Sequence, residues 1–206
     1  MNHHPGHSGR KPKTVPRLLT VAAGLAVIMF LMSGCSTSST PDPSEASSAS
    51  TARGQQVGPL LLELSEVVGD DADLKVDDAR EETCLRPEND APQTKTRWVG
   101  LATAAVKGDA RSKAHHALDR IDQHLQADGW EKKNEVKRHE GEARMLFFGK
   151  GDLGVTAELR NGSKYAKPSM EVFVSTPCID QPVEHRMQRS ELDPGYGKSS
   201  QYYDDA

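Results

Sequence analysis

Fifteen consecutive positions, Leu18 to Met32, carry no charged side chain, and Ser33, Gly34 and Cys35 come directly after them. Upstream the charge is all positive: Arg10, Lys11, Lys13 and Arg17 stand among the first 34 residues, which contain no Asp or Glu. A basic start, a short apolar run and small residues form the pattern of a secretory signal segment. The run falls short of the ~20 apolar residues that span a bilayer as a stable helix. Residues 1–34 are therefore expected to be a signal peptide, and the fold has to be built from the residues after Gly34.

The run Leu31-Met32-Ser33-Gly34-Cys35 resembles a lipobox, the site at which a bacterial lipoprotein precursor is acylated on cysteine and cut just before it. Met32 stands where leucine is usual. On this reading Cys35 is the lipidation site, the membrane is a partner through that anchor, and the location is the outer face of the cytoplasmic membrane. Two or three acyl chains give durable attachment at ~0.8 kcal/mol per buried methylene. The alternative is an uncleaved anchor helix with an incidental cysteine. The chain offers Arg10-Lys11 and no Arg-Arg pair there, which argues against a twin-arginine route.

The anchor accounts for the odd cysteine. With Cys35 in a thioether, only Cys84 and Cys178 remain of three, and a compartment outside the cytoplasm permits their oxidation. A Cys84–Cys178 disulfide is expected, the alternative being two free thiols. Neither belongs to a CxxC pair, so thiol oxidoreductase chemistry is not indicated. Removing four of the 26 Lys and Arg with the signal leaves 22 against 30 Asp and Glu, a formal charge of −8. Such a chain is a poor ligand for nucleic acid, and no nucleic-acid partner is expected.

Residues 35–56 read as the lipidated cysteine and a disordered tether, because Ser36 to Thr51 holds ten Ser or Thr in sixteen positions and no large apolar side chain. Residues 57–182 then read as one domain and 183–206 as a flexible polar tail containing Tyr196, Tyr202 and Tyr203. Helical spacing of Leu60, Leu61, Leu64, Val67 and Val68 predicts a helix over Val57 to Val68, stopped by Gly69. Asp70 to Asp78 reads as a solvated acidic loop, since the EF-hand pattern is missing. Thr94 to Val106 favours a strand. A second helix, capped by Asp109, presents Ala114, Leu118, Ile121 and Leu125 on one stripe and stops at Gly129.

Beyond it the period switches to two. Trp130 to His139 is charged enough for an edge strand. Ala143 to Phe148 and Leu153 to Arg160 are the next two strands, the latter with Leu153, Val155, Ala157 and Leu159 facing inward. Asn161-Gly162 signals a two-residue turn, and Met170 to Thr176 is the last strand. The fold class is α+β: an antiparallel meander sheet of about four to five strands packed by one main helix, preceded by an amino-terminal helix.

Motifs with chemistry are scarce. His115, His116 and His124 point in different directions around their helix, so no two of them chelate one ion, and no metal or cofactor is expected. The Gly149 to Gly154 run matches GxGxxG by letter, but joins two predicted strands and opens no helix. The chain lacks GxSxG, Ser-x-x-Lys and HExxH, so no catalytic residue is assigned. Glu158 and Glu171, on neighbouring predicted strands, are the only acid/base candidates.

The whole arrangement is similar to small secreted lipoproteins of high-GC Gram-positive bacteria. The likeness rests on the lipobox, the Ser/Thr tether, Cys84-Leu85-Arg86-Pro87, Trp98, the helix ending Asp128-Gly129-Trp130 and the strand ending Thr176-Pro177-Cys178. It implies an address and a fold, and transfers no catalytic residue. The function expected is a binding or protein-interaction module at the cell envelope, with another envelope protein as its partner. The alternative is an envelope enzyme acting on cell-wall or small polar substrates.

Overall fold

A computed structural model describes residues 43–106, 110–138, 142–162 and 167–204. The expected signal segment, Cys35 and the Asp109 cap lie outside the described residues. The chain divides into units Met1–Ser38 and Ser39–Ala206, and every described residue belongs to the second.

The first helix, α1 (Pro43–Val68), buries Val57, Leu60, Leu61, Leu64 and Val68 along one stripe. It ends where Gly69 turns the chain with φ +51°, a conformation that costs glycine little. Its start corrects the expected tether, because residues 43–56 belong to the helix. That segment offers no apolar stripe of its own, but Ser50 and Gly54 are buried against Trp98. The Trp98 indole N–H donates to Ser50 Oγ at 3.0 Å, and a Cβ on Gly54 would stand 2.5 Å from the ring.

Seven strands and a second helix follow in the order β1 (Lys75–Thr83), β2 (Lys95–Ala105), α2 (Arg111–Ala127), β3 (Glu131–Arg138), β4 (Ala143–Lys150), β5 (Leu153–Arg160), β6 (Ser169–Ser175) and β7 (Ile179–Asp180). The sheet is antiparallel throughout, in the order β1-β2-β6-β5-β4-β3, with β7 continuing beside β2. Helix α2 carries the chain from β2 to the far edge, and the β3–β6 meander walks back. Inward residues alternate as the period predicts: Val155, Ala157 and Leu159 on β5, and Met170, Val172 and Val174 on β6. Both helices pack on this face. Gly100 of β2 lets α1 pack closely, since a Cβ there would meet Leu61 at 2.5 Å and Val57 at 2.8 Å.

The α+β class with an antiparallel sheet therefore holds, while the finer count is corrected: seven strands instead of four to five, and two helices sharing the covering layer instead of one. The extra strands are β1, whose first part reads in sequence as an acidic loop, and the two-residue β7. Asp77 of β1 is exposed, whereas Ala79, Glu81 and Thr83 turn inward. The tight turn expected at Asn161-Gly162 is also corrected, because residues 161–168 separate β5 from β6.

Cys84 and Cys178 form the expected disulfide, with S–S 2.02 Å and Cα–Cα 6.2 Å across 94 positions of sequence. Cys84 comes directly after β1 and Cys178 directly before β7, so the bond clamps the two strands that flank the beginning of β2.

The segment expected to be a flexible tail is packed over its described part. Met187 is fully buried, and Tyr203 and Asp193 nearly so. The Gln188 carbonyl accepts from Glu81 N–H at 2.8 Å, and Ser190 N–H donates to the Ala79 carbonyl at 3.0 Å, which closes the β1 edge of the sheet. Isolated anchors of this kind leave no hydrophobic period to read. Among the described residues no helix is long and apolar enough to cross a membrane.

Candidate functional site

A groove of about 370 Å³ runs along α1 between Thr51 and Leu62 and is walled on its other side by Gln188 to Leu192. Its α1 residues recur at helical spacing, so the groove tracks the helix for three turns. Gly54 and Gly58 are buried there, Gly54 against the nearly buried Trp98 ring and Gly58 under Leu192, where a Cβ would meet it at 3.2 Å. Leu62 stands on the rim with 46% of its surface exposed, unusual for a leucine. Pro59 also lines the groove; having no N–H, it leaves the Gln55 carbonyl without its α-helical donor. The volume lies within the range of small-molecule sites.

The far wall is held by a buried carboxylate. Glu81 on β1 is fully inaccessible, and its Oε1 accepts from the Thr96 hydroxyl, from His185 Nε2 at 2.9 Å and from Gln181 Nε2 at 3.4 Å. Its Oε2 accepts from Gln188 N–H at 3.1 Å. Three of these four donors belong to the segment after Cys178, so Glu81 is the peg on which that segment hangs. Beyond the peg, the Arg189 guanidinium lies 4.0 Å from the centre of the Tyr203 ring, and the Tyr203 hydroxyl donates to Asp90 at 3.1 Å. Burial pushes the Tyr203 phenol upward in pKa, so it stays a neutral donor.

The acid/base candidates are brought together under one cation. Glu158 and Glu171 are directly paired across β5 and β6. Arg160 bridges them, its Nε at 2.8 Å from Glu158 and its Nη1 at 3.0 Å from Glu171. They lie on the face without helices. Glu158 borders a cleft of about 20 Å³, too small to hold a sugar or peptide. Two part-buried carboxylates sharing one guanidinium beside so small a cleft lack the differing environments and the enclosure that acid/base catalysis needs. The histidines of α2 separate as their angular positions require. His124 meets Glu63 of α1 at 2.5 Å, and burial lowers the pKa of His115.

A second charged cluster ties α2 to the β3–β4 edge. Lys132 Nζ lies 2.7 Å from both Asp122 and Glu135, and Arg144 joins Glu135 at 2.9 Å while also reaching Asp119. The hydrogen bond from Lys132, supported by Lys137 and Arg144, holds Glu135 down from 4.5 to about 2. A carboxylate whose pKa falls on folding contributes stability above its unfolded value and loses it as the pH drops through the folded value. The domain should therefore lose stability between pH of about 4.5 and about 2, and Glu135→Gln should remove part of that loss. Urea unfolding at stepped pH is the check; equal acid sensitivity in both proteins would contradict it.

No family model, curated protein or solved structure matches the chain. The groove was missed from sequence because Thr51, Gly54 and Gln55 lie upstream of the expected helix, where the Ser/Ala composition argued for disorder, and Gln188 to Leu192 lie in the expected flexible tail.

Proposed function

We propose that the chain is a lipid-anchored protein of the outer face of the cytoplasmic membrane that acts by binding. The groove along α1 is the observation that carries the binding part: concave, mainly apolar and edged by a few polar groups. The anchor rests on the lipobox-like run ending at Cys35 and on the basic and apolar segments before it. The Cys84–Cys178 bond supports export, since such bonds persist in oxidising compartments.

The helix that starts at Pro43 changes how close an anchored domain stands to its bilayer. Eight residue steps separate Cys35 from Pro43, and a chain of that length reaches at most ~29 Å in any conformation. The groove starts at Thr51, eight residues further along α1, so about 12 Å of helix lies beyond that reach.

Cell fractionation tests the anchor. The protein should sediment with membranes and resist salt washing, while Cys35→Ala should lose acyl incorporation from labelled palmitate and leave the membrane fraction. Unchanged incorporation and retention in Cys35→Ala would sink the lipid-anchor reading.

A further inference from the structure

We infer that the face of the sheet turned away from the helices joins a second copy of this chain in a two-fold, face-to-face pair. The inference uses neither the anchor nor the groove, so it stands or falls apart from both. Leu101, Met145, Phe147 and Phe173 alternate along their strands with Ala102, Leu146, Phe148, Val172 and Val174, which are buried under the helices, and so point to the other side. Val136, the registered neighbour of Met145, joins them. All five are part-buried, yet none belongs to the core beneath the helices or packs against it. Large apolar side chains gathered outside a core mark an interaction surface.

Register keeps this face flat. Leu101, Phe173, Thr156 and Phe147 are direct neighbours across β2, β6, β5 and β4, and the pairing of those strands runs without a bulge. At ~4.8 Å per strand and ~3.4 Å per residue, the stretch from β2 to β3 measures roughly 24 Å by 24 Å. Roughly 600 Å² on each copy gives ~1,200 Å² for a pair, the lower end of specific interfaces. Sheets so paired pack face to face with their strands nearly aligned.

The polar residues fit the same symmetry. Glu158 and Glu171 flank the row on one side, Gly154 and Ser175 on the other. A two-fold axis along the row therefore sets the glutamates of one copy over the glycine and serine of the next, and like charges do not meet. Arg160 already pairs with both glutamates, so this edge offers little to a partner chosen by charge. A second copy brings an apolar row of matching length, and an isologous contact of this kind closes at two chains.

Crosslinking in cells that produce the full chain tests the pairing. Thr156 is central to the row, and Thr156→Cys treated with a bismaleimide of ~8 Å span should join two chains, because facing sheets lie ~10 Å apart. His116→Cys, exposed on α2 in the helix layer, is the control and should stay single. Sedimentation of the purified full chain in density-matched detergent should show a pair, and Thr156→Arg should weaken that pair at least about a hundredfold by setting a cation against its own copy. Equal urea midpoints confirm that the variants fold. A wild-type chain still single at about 100 µM, equal joining at His116→Cys, or a pair indifferent to Thr156→Arg would overturn the inference. So would a Thr156→Cys crosslink made only to a different protein, which would give the face to that partner.

Discussion

Replacing Cys84 and Cys178 together by alanine should lower the unfolding free energy by roughly 4 kcal/mol. The bond closes a loop of 94 positions, and the chain-entropy cost of such a loop in the unfolded state is about 4 to 5 kcal/mol, of which native domains usually show 2 to 5. Its position makes the larger part of that range the expectation. Cys84 N–H already donates to the Lys95 carbonyl at 2.8 Å, so the cysteine is an extension of the β1–β2 ladder and the sulfur bridge adds to existing order. On the other side, Cys178 lies between β6 and β7, both paired to β2. Urea denaturation of the two proteins is the measurement, with the midpoint moving and the slope read for changes in the unfolded chain. A loss under about 1 kcal/mol would mean that the bond constrains the unfolded chain little, against the loop-closure argument.

Glu81→Ala should cost about 3 to 5 kcal/mol and release the chain after Cys178. Four donors converge on this carboxylate, and truncation would leave Thr96, Gln181, His185 and the Gln188 amide without it in a place water does not reach. The local effect should exceed the global one. Amide exchange at Ser190, which donates to Ala79 at 3.0 Å, should quicken roughly a hundredfold, while β5 and β6 keep most of their protection. Unchanged exchange at Ser190 would show that the segment is held by Met187 and Tyr203 packing instead, and Glu81 would lose its role as the peg.

Much of the sheet was legible because β5 and β6 keep one face apolar without interruption. Leu153 to Leu159 and Met170 to Val174 alternate with period two, and each strand is buried as its pattern says. Helix α2 was equally plain from Ala114, Leu118, Ile121 and Leu125. The segments that failed to show were those whose burial is supplied from far away. β1 reads as solvated because its inward residues include a glutamate, and that glutamate is tolerated only through donors about 100 positions downstream. The amino-terminal half of α1 is small and polar until Trp98, 44 positions after Gly54, lies against it. The segment from Gln181 to Asp204 buries single residues against single residues, so no window of sequence contains both sides of a contact. The groove lies between two of these hidden segments, and for that reason no candidate residue of it was foreseen.

The mass of the amino-terminal peptide of the protein isolated from membranes tests the central claim most directly. An anchored binding protein of this kind should begin at Cys35, lack residues 1–34, and carry the mass of a diacylglyceryl group on that cysteine, with or without a further acyl chain on its amino group. A chain that begins at Met1, or that contains Cys35 with an unmodified thiol, would contradict the account.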